Sequence, residues 1–129
     1  MERPLDELAR IDIEESDGVV VARVVGEIDI SNVAEARRVL TEGVSNSALG
    51  LVVDVSGTTH LDSSGVHLLF GLSTALQDRK QQLCIVAPET APGSRVLYVT
   101  GFDRIVPMTA TLEDAIARVR APAPPAPAA

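Results

Sequence analysis

The stretch Val53-Asp54-Val55-Ser56-Gly57-Thr58-Thr59-His60-Leu61-Asp62-Ser63-Ser64-Gly65-Val66 decides the fold of this chain. It starts inside the apolar run Leu51–Val55, which is typical of a central parallel strand and which Gly57 ends. After a polar loop, apolar residues recur at helical spacing from Ser64 to about Arg79. A buried strand that leads through a loop into a helix is the repeating unit of α/β proteins, so this class is predicted.

The residues before this stretch predict a β-hairpin. Alternating residues at Ile11–Glu14 follow a lead-in that ends near Arg10, and Val19–Val25 is a β-branched run closed by Gly26. Ser16-Asp17-Gly18 between the two runs is a turn signal, because Gly reaches positive φ freely and Asp can bond its own backbone. The chain therefore opens with two antiparallel strands.

A helix is predicted after the hairpin. Its cap is either Ser31 or Asn32, and Glu35 stands at the capping-box position relative to Asn32. The apolar face of this helix consists of Val33, Ala36, Leu40 and Val44, and the polar face of Glu35, Arg37, Arg38 and Glu42.

The residues after the opening stretch predict two more strands and two more helices. In chain order these are a strand over Leu83–Ala87, a short helix through Val96–Tyr98, an edge strand at Ile105–Met108, and a helix over Leu112–Val119 capped by Thr111. We therefore expect an opening hairpin followed by alternating α/β elements. About four helices should pack on a mixed, mostly parallel sheet of about five strands.

The composition fits one small domain and disfavours several classes of protein. A single domain is expected over residues 1–120, and residues 121–129 read APAPPAPAA, which predicts a disordered tail. A net charge of −7, with one Tyr, two Phe and no Trp, disfavours direct nucleic-acid binding and an anionic membrane surface. The single Cys84 is expected to be buried and structural. Without a secretory signal or an apolar run of about 20 residues, the expected location is cytoplasmic.

The segment Asp62-Ser63-Ser64-Gly65 is the candidate functional site. The first turn of a helix has backbone N–H groups without partners, and the helix dipole favours negative charge there by about 0.3–1 kcal/mol. A serine at this position can carry a phosphate, and Gly65 would let a partner approach the hydroxyl closely. Aspartate and serine are also common caps, so the segment can equally be an ordinary helix start.

Three segments, in order, resemble the STAS domain family. They are Gly26-Glu27-Ile28-Asp29 after the second strand, Val53–Gly57 followed by Leu61–Gly65, and Thr100–Ile105 before the last strand. The resemblance covers about Ile11 to Val119 and implies the STAS-type fold. It extends to the anti-sigma factor antagonists, the branch of this family that acts by partner switching.

This resemblance implies a phosphorylation switch in transcription regulation, as in stress-response or sporulation circuits. The unphosphorylated protein would bind an anti-sigma factor that is also a serine kinase, and a sigma factor would be freed. Phosphorylation of Ser64, with Ser63 as the second candidate, would end the binding, and a serine phosphatase would restore it. The partner kinase would hold the ATP, so this chain is expected to have no cofactor, no metal and no catalytic residue.

The resemblance also indicates which residues contact the partner, on two loops that should converge at one end of the sheet. These residues are Glu27, Asp29, Asp62, Ser63, Gly65 and His67. Asp29 can equally be a turn residue, and Asp54 is expected at a strand end, bonded to loop N–H groups. His67 departs from the small residue that the family often has there. Protonated, it could steady a phosphate on Ser64, or it is an ordinary exposed histidine.

Three other functions fit parts of the sequence. His60, Asp62 and Ser64 suggest a hydrolase, but triads draw their members from distant segments, and no G-x-S-x-G elbow is present. The set of His60, Asp62 and His67 lacks the spacing of a known metal motif. The main alternative is a non-enzymatic STAS adaptor subunit of a transporter or of a large, stressosome-like sensory complex.

Overall fold

A computed structural model describes residues 1–121, and a seven-stranded mixed sheet forms their centre. The chain begins with β1 (Glu2–Pro4), which lies in the predicted lead-in and pairs with the outer edge of β2 (Ala9–Ser16). The predicted hairpin is confirmed, because β2 pairs antiparallel with β3 (Val19–Ile28). Asp17 and Gly18 both have positive φ, as a two-residue hairpin turn of this kind requires.

The predicted parallel part of the sheet is also confirmed. β4 (Gly50–Asp54) lies beside the first half of β3, and β5 (Thr58–Leu61) lies beside its end. β6 (Gln82–Val86) pairs with β4, and β7 (Met108–Thr109) pairs with β6 at the far edge. All four of these pairings are parallel. The sheet of residues 1–121 therefore has two strands more than predicted, β1 and β5.

The extra strand β5 consists of residues that read as a polar loop in the sequence. Its register places Leu61 opposite Ile28, at the end of β3. Thr58 at its start is fully buried, and its hydroxyl donates to the Val24 carbonyl at 2.7 Å. Because this bond satisfies the buried hydroxyl, a polar segment can extend the sheet here.

Four α-helices cover the sheet in residues 1–121, in agreement with the prediction. α1 (Val33–Glu42), α2 (Ser63–Asp78) and α3 (Pro92–Val99) pack on one face, and α4 (Leu112–Arg120) packs on the other. Alternate strand residues supply the two cores: Val20, Ala22, Val53 and Ile85 face the three helices, whereas Val19, Val21, Val52 and Cys84 face α4. Cys84 is buried as predicted, and this burial raises the pKa of its thiol.

The predicted capping box at the start of α1 is wrong. Asn32 is the N-cap residue, but its side chain makes no capping bond to the helix. Its Oδ1 accepts the Asp29 N–H at 3.0 Å, and its amide donates to the Glu27 carbonyl at 2.8 Å. Glu35 instead pairs with Arg38 on the surface of α1. The Asn32 side chain therefore fixes the chain between β3 and α1 and does not cap the helix.

The predicted edge strand at Ile105–Met108 is displaced towards the C-terminus. Gly101, at φ 75°, ends α3, and Phe102–Arg104 forms a 3-10 helix that continues into the turn at Ile105. Phe102 is fully buried against Phe70, with ring centroids 4.8 Å apart. Burial of this ring holds the chain in a helical turn, so strand pairing begins only at Met108.

Two further predictions concern the chain as a whole. None of the helices in residues 1–121 is long and apolar enough to cross a membrane. Ala121 is exposed after the end of α4, and the remainder of the predicted Ala/Pro tail lies outside the described residues.

Candidate functional site

The ends of β3 and β5 bring the two predicted loops together. The strands run parallel, so both chains leave the sheet at the same edge. The Asp62 N–H donates to the Ile28 carbonyl at 3.3 Å, directly beside Asp29. The negative charge of Asp62 is close enough to raise the pKa of Asp29, although hydrogen bonds to Asp29 outweigh this effect. The predicted convergence of the Gly26–Asp29 segment with Asp62–Gly65 is therefore present in the fold.

Asp62 is the cap of α2. Its Oδ1 accepts the backbone N–H of Ser64 at 2.9 Å and that of Gly65 at 3.2 Å, and it also accepts the Ser64 hydroxyl. The Ser64 hydroxyl, followed by the N–H groups of Gly65, Ser64 and Ile30, holds the Asp62 pKa below its ordinary value. Asp62 therefore remains ionised near neutral pH and accepts the Ser64 proton in a hydrogen bond.

The two candidate serines occupy the first turn of α2. Ser63 is exposed at its first position, and Ser64, at the second, is half-buried. The cap interpretation of this segment is correct for Asp62, whereas both serines lie within the helix. Because Asp62 accepts the N–H groups at the helix start, neither serine hydroxyl is needed as the cap, and that of Ser64 donates to Asp62.

Gly65 serves the packing of α2 on the sheet. It is buried, and a Cβ at this position would lie 2.3 Å from Cδ1 of Leu61 and 3.4 Å from Cγ2 of Ile28. The absent side chain therefore leaves room for the core rather than for an approaching partner. Contact between the Gly65 backbone and a partner stays a prediction.

Asp29 forms a turn that leads out of β3. Its Oδ1 accepts both the N–H and the hydroxyl of Ser31, and these bonds hold the Asp29 pKa below its ordinary value. The turn interpretation is confirmed, and contact with a kinase stays a prediction. The next residue, Ile30, has a side chain that is 78% exposed, so an apolar group stands in water beside the two carboxylates. Glu27 is half-buried and pairs in register with His60 of β5.

An open groove of about 550 Å³ lies between α1 and α2. Its lining residues are Val33, Ala34 and Arg37 from α1, with Ser63, Ser64 and His67 from α2. The helical spacing in the sequence predicts that Arg37 lies on the polar face of α1, but it does not predict that this face lies beside Ser63 and Ser64. Helical periodicity shows which face of its own helix a residue occupies but not which other helix packs beside that face, so the sequence could not predict that Arg37 lines this groove.

Comparison with known proteins identifies the family of the chain. The family model described as STAS domain matches residues 10–115. The chain belongs to the STAS domain family. Among curated proteins, this STAS domain is 27% identical over 110 residues to the anti-sigma-F factor antagonist RsfB of Mycobacterium tuberculosis. The match covers 85% of this chain and 88% of the relative.

Solved structures give the same result. An anti-sigma factor antagonist from Mycobacterium paratuberculosis is 30% identical, with a TM-score of 0.79, and the match covers 94% of this chain and 100% of that one. The anti-sigma factor antagonist SpoIIAA in its unphosphorylated form is 25% identical, with a TM-score of 0.63, covering 87% and 99%. The predicted STAS-type fold is therefore confirmed.

The remaining predicted residues lie at the same edge of the STAS domain or close to it. Asp54 ends β4, and its Oδ1 accepts the N–H of Ser56 at 2.9 Å and its hydroxyl at 2.6 Å, as predicted. His67 is exposed in the groove, where the phosphate-steadying hypothesis stays untested. The Ser64 hydroxyl donates to Asp62 and not to His60, which is unlike the serine of a hydrolase triad.

Proposed function

We propose that this STAS domain is an anti-sigma factor antagonist. Its unphosphorylated form binds an anti-sigma factor and thereby frees a sigma factor, so it regulates transcription by partner switching. The observation that supports this most is the half-buried Ser64 hydroxyl in the first turn of α2, beside an open groove. The relatives named as anti-sigma factor antagonists support the same function. The proposed location is the cytoplasm, where sigma factors act.

Phosphorylation of Ser64 ends the binding in this proposal. The bound anti-sigma factor is also a serine kinase, it supplies the phosphate from its own ATP, and a serine phosphatase reverses the modification. A phosphate adds about −1.5 to −2 charges at neutral pH. It removes the proton that Ser64 donates to Asp62 and adds negative charge near two carboxylates, those of Asp62 and Asp29. A partner surface that fits the neutral hydroxyl then faces repulsion and a charge that is costly to desolvate.

The proposed partner surface surrounds this serine. Ser63 and His67 are exposed on α2, and Ile30 is exposed after β3. An apolar side chain beside charged groups is suited to a contact in which the centre is dry and the rim is polar. Glu27, Asp29 and Asp62 complete the proposed surface at the shared ends of β3 and β5. Gly65 is buried in α2 and would contribute only its backbone.

The test is reconstitution with candidate anti-sigma factor kinases and ATP. We expect mass spectrometry to place a single phosphate on Ser64 and equilibrium binding to weaken after modification. Ser64→Ala should bind and stay unmodified, Ser64→Asp should bind poorly, and the control Ser63→Ala should be modified as wild type is. A phosphate on Ser63 instead, or tight binding by Ser64→Asp, would contradict the charge mechanism.

The adaptor alternative makes a different prediction about partners. An antagonist should be captured together with an ATP-binding kinase of the anti-sigma type. An adaptor should be captured with a transporter ATPase or with a large sensory assembly. Affinity purification of the full chain, followed by identification of the bound proteins, separates the two functions.

A further inference from the structure

We infer that Arg37 binds the phosphate once Ser64 is modified, so that the phosphorylated protein forms an ion pair across the groove between α1 and α2. The inference rests on the proposed function only for the origin of the phosphate. It gives a role after phosphorylation to Arg37, which the helical spacing places on the polar face of α1.

The charges around Ser64 require a counter-ion for a phosphate. The acceptor of the Ser64 hydroxyl is the Asp62 carboxylate, and a second carboxylate, that of Asp29, is close enough for the charge of Asp62 to raise its pKa. Two histidines also lie nearby, His60 on β5 and His67 on α2. An arginine keeps its charge at every physiological pH, and Arg37 lines the same groove as Ser64.

Arg37 is available for a new ion pair, unlike its neighbour. Arg38 already pairs with Glu35 and Glu42 on the outer face of α1. Arg37 has no salt-bridge partner among the described residues and no hydrogen bond from its guanidinium within residues 1–121. Binding a phosphate would therefore break no existing contact of comparable strength.

Arg37 is exposed, and its guanidinium lies against the surface of α2. It lies over Gly71 of α2, where its Nη2 would be 3.5 Å and its Nη1 3.8 Å from an added Cβ. Gly71 is exposed and has no side chain, and Arg37 lines both the space beside Gly71 and the groove beside Ser64. Rotation about the side-chain bonds of Arg37 is the movement needed to turn the guanidinium from Gly71 towards Ser64.

The direction in which a phosphate would point favours this contact. Asp62 lies at the N-terminal end of α2, beside the end of β3, and keeps accepting the backbone N–H groups of α2 after modification. Repulsion from this carboxylate drives the phosphate away from the cap and into the groove. There the planar guanidinium can donate two parallel hydrogen bonds to phosphate oxygens, which is the favoured geometry for this pair. The ion pair would partly fill a groove that is open in the unmodified protein.

The experiment uses full-length protein with phosphoserine incorporated at position 64 during translation, so no kinase is needed. The second pKa of the phosphoserine is measured by phosphorus NMR in wild type, Arg37→Gln and Arg38→Gln. A nearby cation stabilises the dianion and lowers this pKa, so Arg37→Gln should raise it by about half a unit. Arg38→Gln removes the same charge from the same helix but should leave the pKa unchanged, because Arg38 faces away from the groove.

A second measurement detects the contact directly. The side-chain Nε–H signal of Arg37 should shift between the unmodified and phosphorylated proteins, and that of Arg38 should stay in place. Equal phosphoserine pKa values in wild type and Arg37→Gln, or equal shifts for the two arginine variants, would overturn the inference while leaving the proposed function intact. If no candidate kinase modifies Ser64, that outcome counts against the proposed function. The pKa and arginine measurements are unaffected, because their phosphoserine is incorporated during translation.

Discussion

At the scale of single residues, Asp62 performs two tasks with one carboxylate. It accepts two backbone N–H groups at the start of α2, and it accepts the hydroxyl of Ser64. Both tasks favour the ionised form, because the same hydrogen bonds lower its pKa. The stability of the helix start and the state of the switch hydroxyl are therefore coupled through one side chain.

We predict that Asp62→Ala lowers the free energy of unfolding by about 1 kcal/mol at pH 7, the usual cost of losing an N-cap. Because the folded pKa of Asp62 is lowered, its contribution is fully present above about pH 4 and is lost as pH falls through the folded value. The difference between wild type and Asp62→Ala should therefore narrow in acid. Urea unfolding as a function of pH measures it.

Asp78 provides the matched control for this prediction. It is an exposed aspartate at the other end of α2, where the helix dipole disfavours negative charge. Asp78→Ala should leave the stability unchanged or raise it slightly. If both alanine variants lose the same stability, the capping role of Asp62 is refuted.

At the scale of elements, the close packing of α2 on β5 positions Ser64, the proposed site of phosphorylation. β5 ends at Leu61 beside the end of β3, Asp62 follows directly, and α2 begins at Ser63. The helix can approach the strand because Gly65 has no side chain towards Leu61. The position of Ser64 therefore depends on a contact on the opposite side of the same helical turn.

We predict that Gly65→Ala lowers the free energy of unfolding by about 1–3 kcal/mol, because the added Cβ overlaps with the buried Leu61. Gly71→Ala is the matched control, since it makes the same change at an exposed position of α2. There, the better helix propensity of alanine should raise the stability by about 0.5–1 kcal/mol. Denaturant titration of both variants measures the effects, and a Gly65→Ala variant as stable as wild type would contradict the packing argument.

At the scale of the whole molecule, the sheet separates Ser64 and its groove from the second core. The groove and Ser64 lie on the face covered by α1 and α2, whereas α4 covers a row of valines and Cys84 on the opposite face. Val119 of α4 is 2% exposed and belongs to that second core. Changes beneath α4 should therefore alter stability without altering the site.

We predict that Val119→Ala lowers the free energy of unfolding by about 1–3 kcal/mol through lost burial and a residual cavity. The rate of Ser64 phosphorylation by the partner kinase should be unchanged at temperatures where the variant stays folded. Val99→Ala removes the same atoms from a valine that is 77% exposed, so its stability should change by less than about 0.5 kcal/mol. Slower phosphorylation of folded Val119→Ala would show that the two faces are coupled.

Most of the architecture could be predicted because it follows from local patterns. The alternation in β2, the β-branched run in β3, the apolar runs in β4 and β6 and the helical spacing of α1, α2 and α4 are all readable from neighbouring residues. The misses have a common cause. β5 reads as a loop because the hydrogen bond from the Thr58 hydroxyl to the Val24 carbonyl joins residues that are far apart in the sequence. The capping box fails for a similar reason, because the Asn32 side chain bonds back to the end of β3 instead of capping α1.

The sequence by itself determined the class of fold, the family and the position of a serine at the start of a helix, because periodicity and motif order are properties of the chain alone. Only the tertiary structure decided that Asp62 rather than a serine caps α2, that Gly65 faces the core and that Arg37 shares a groove with Ser64. The cap depends on where β5 stops pairing with β3, at Leu61, and the other two facts depend on which surfaces of distant segments meet in the packed structure.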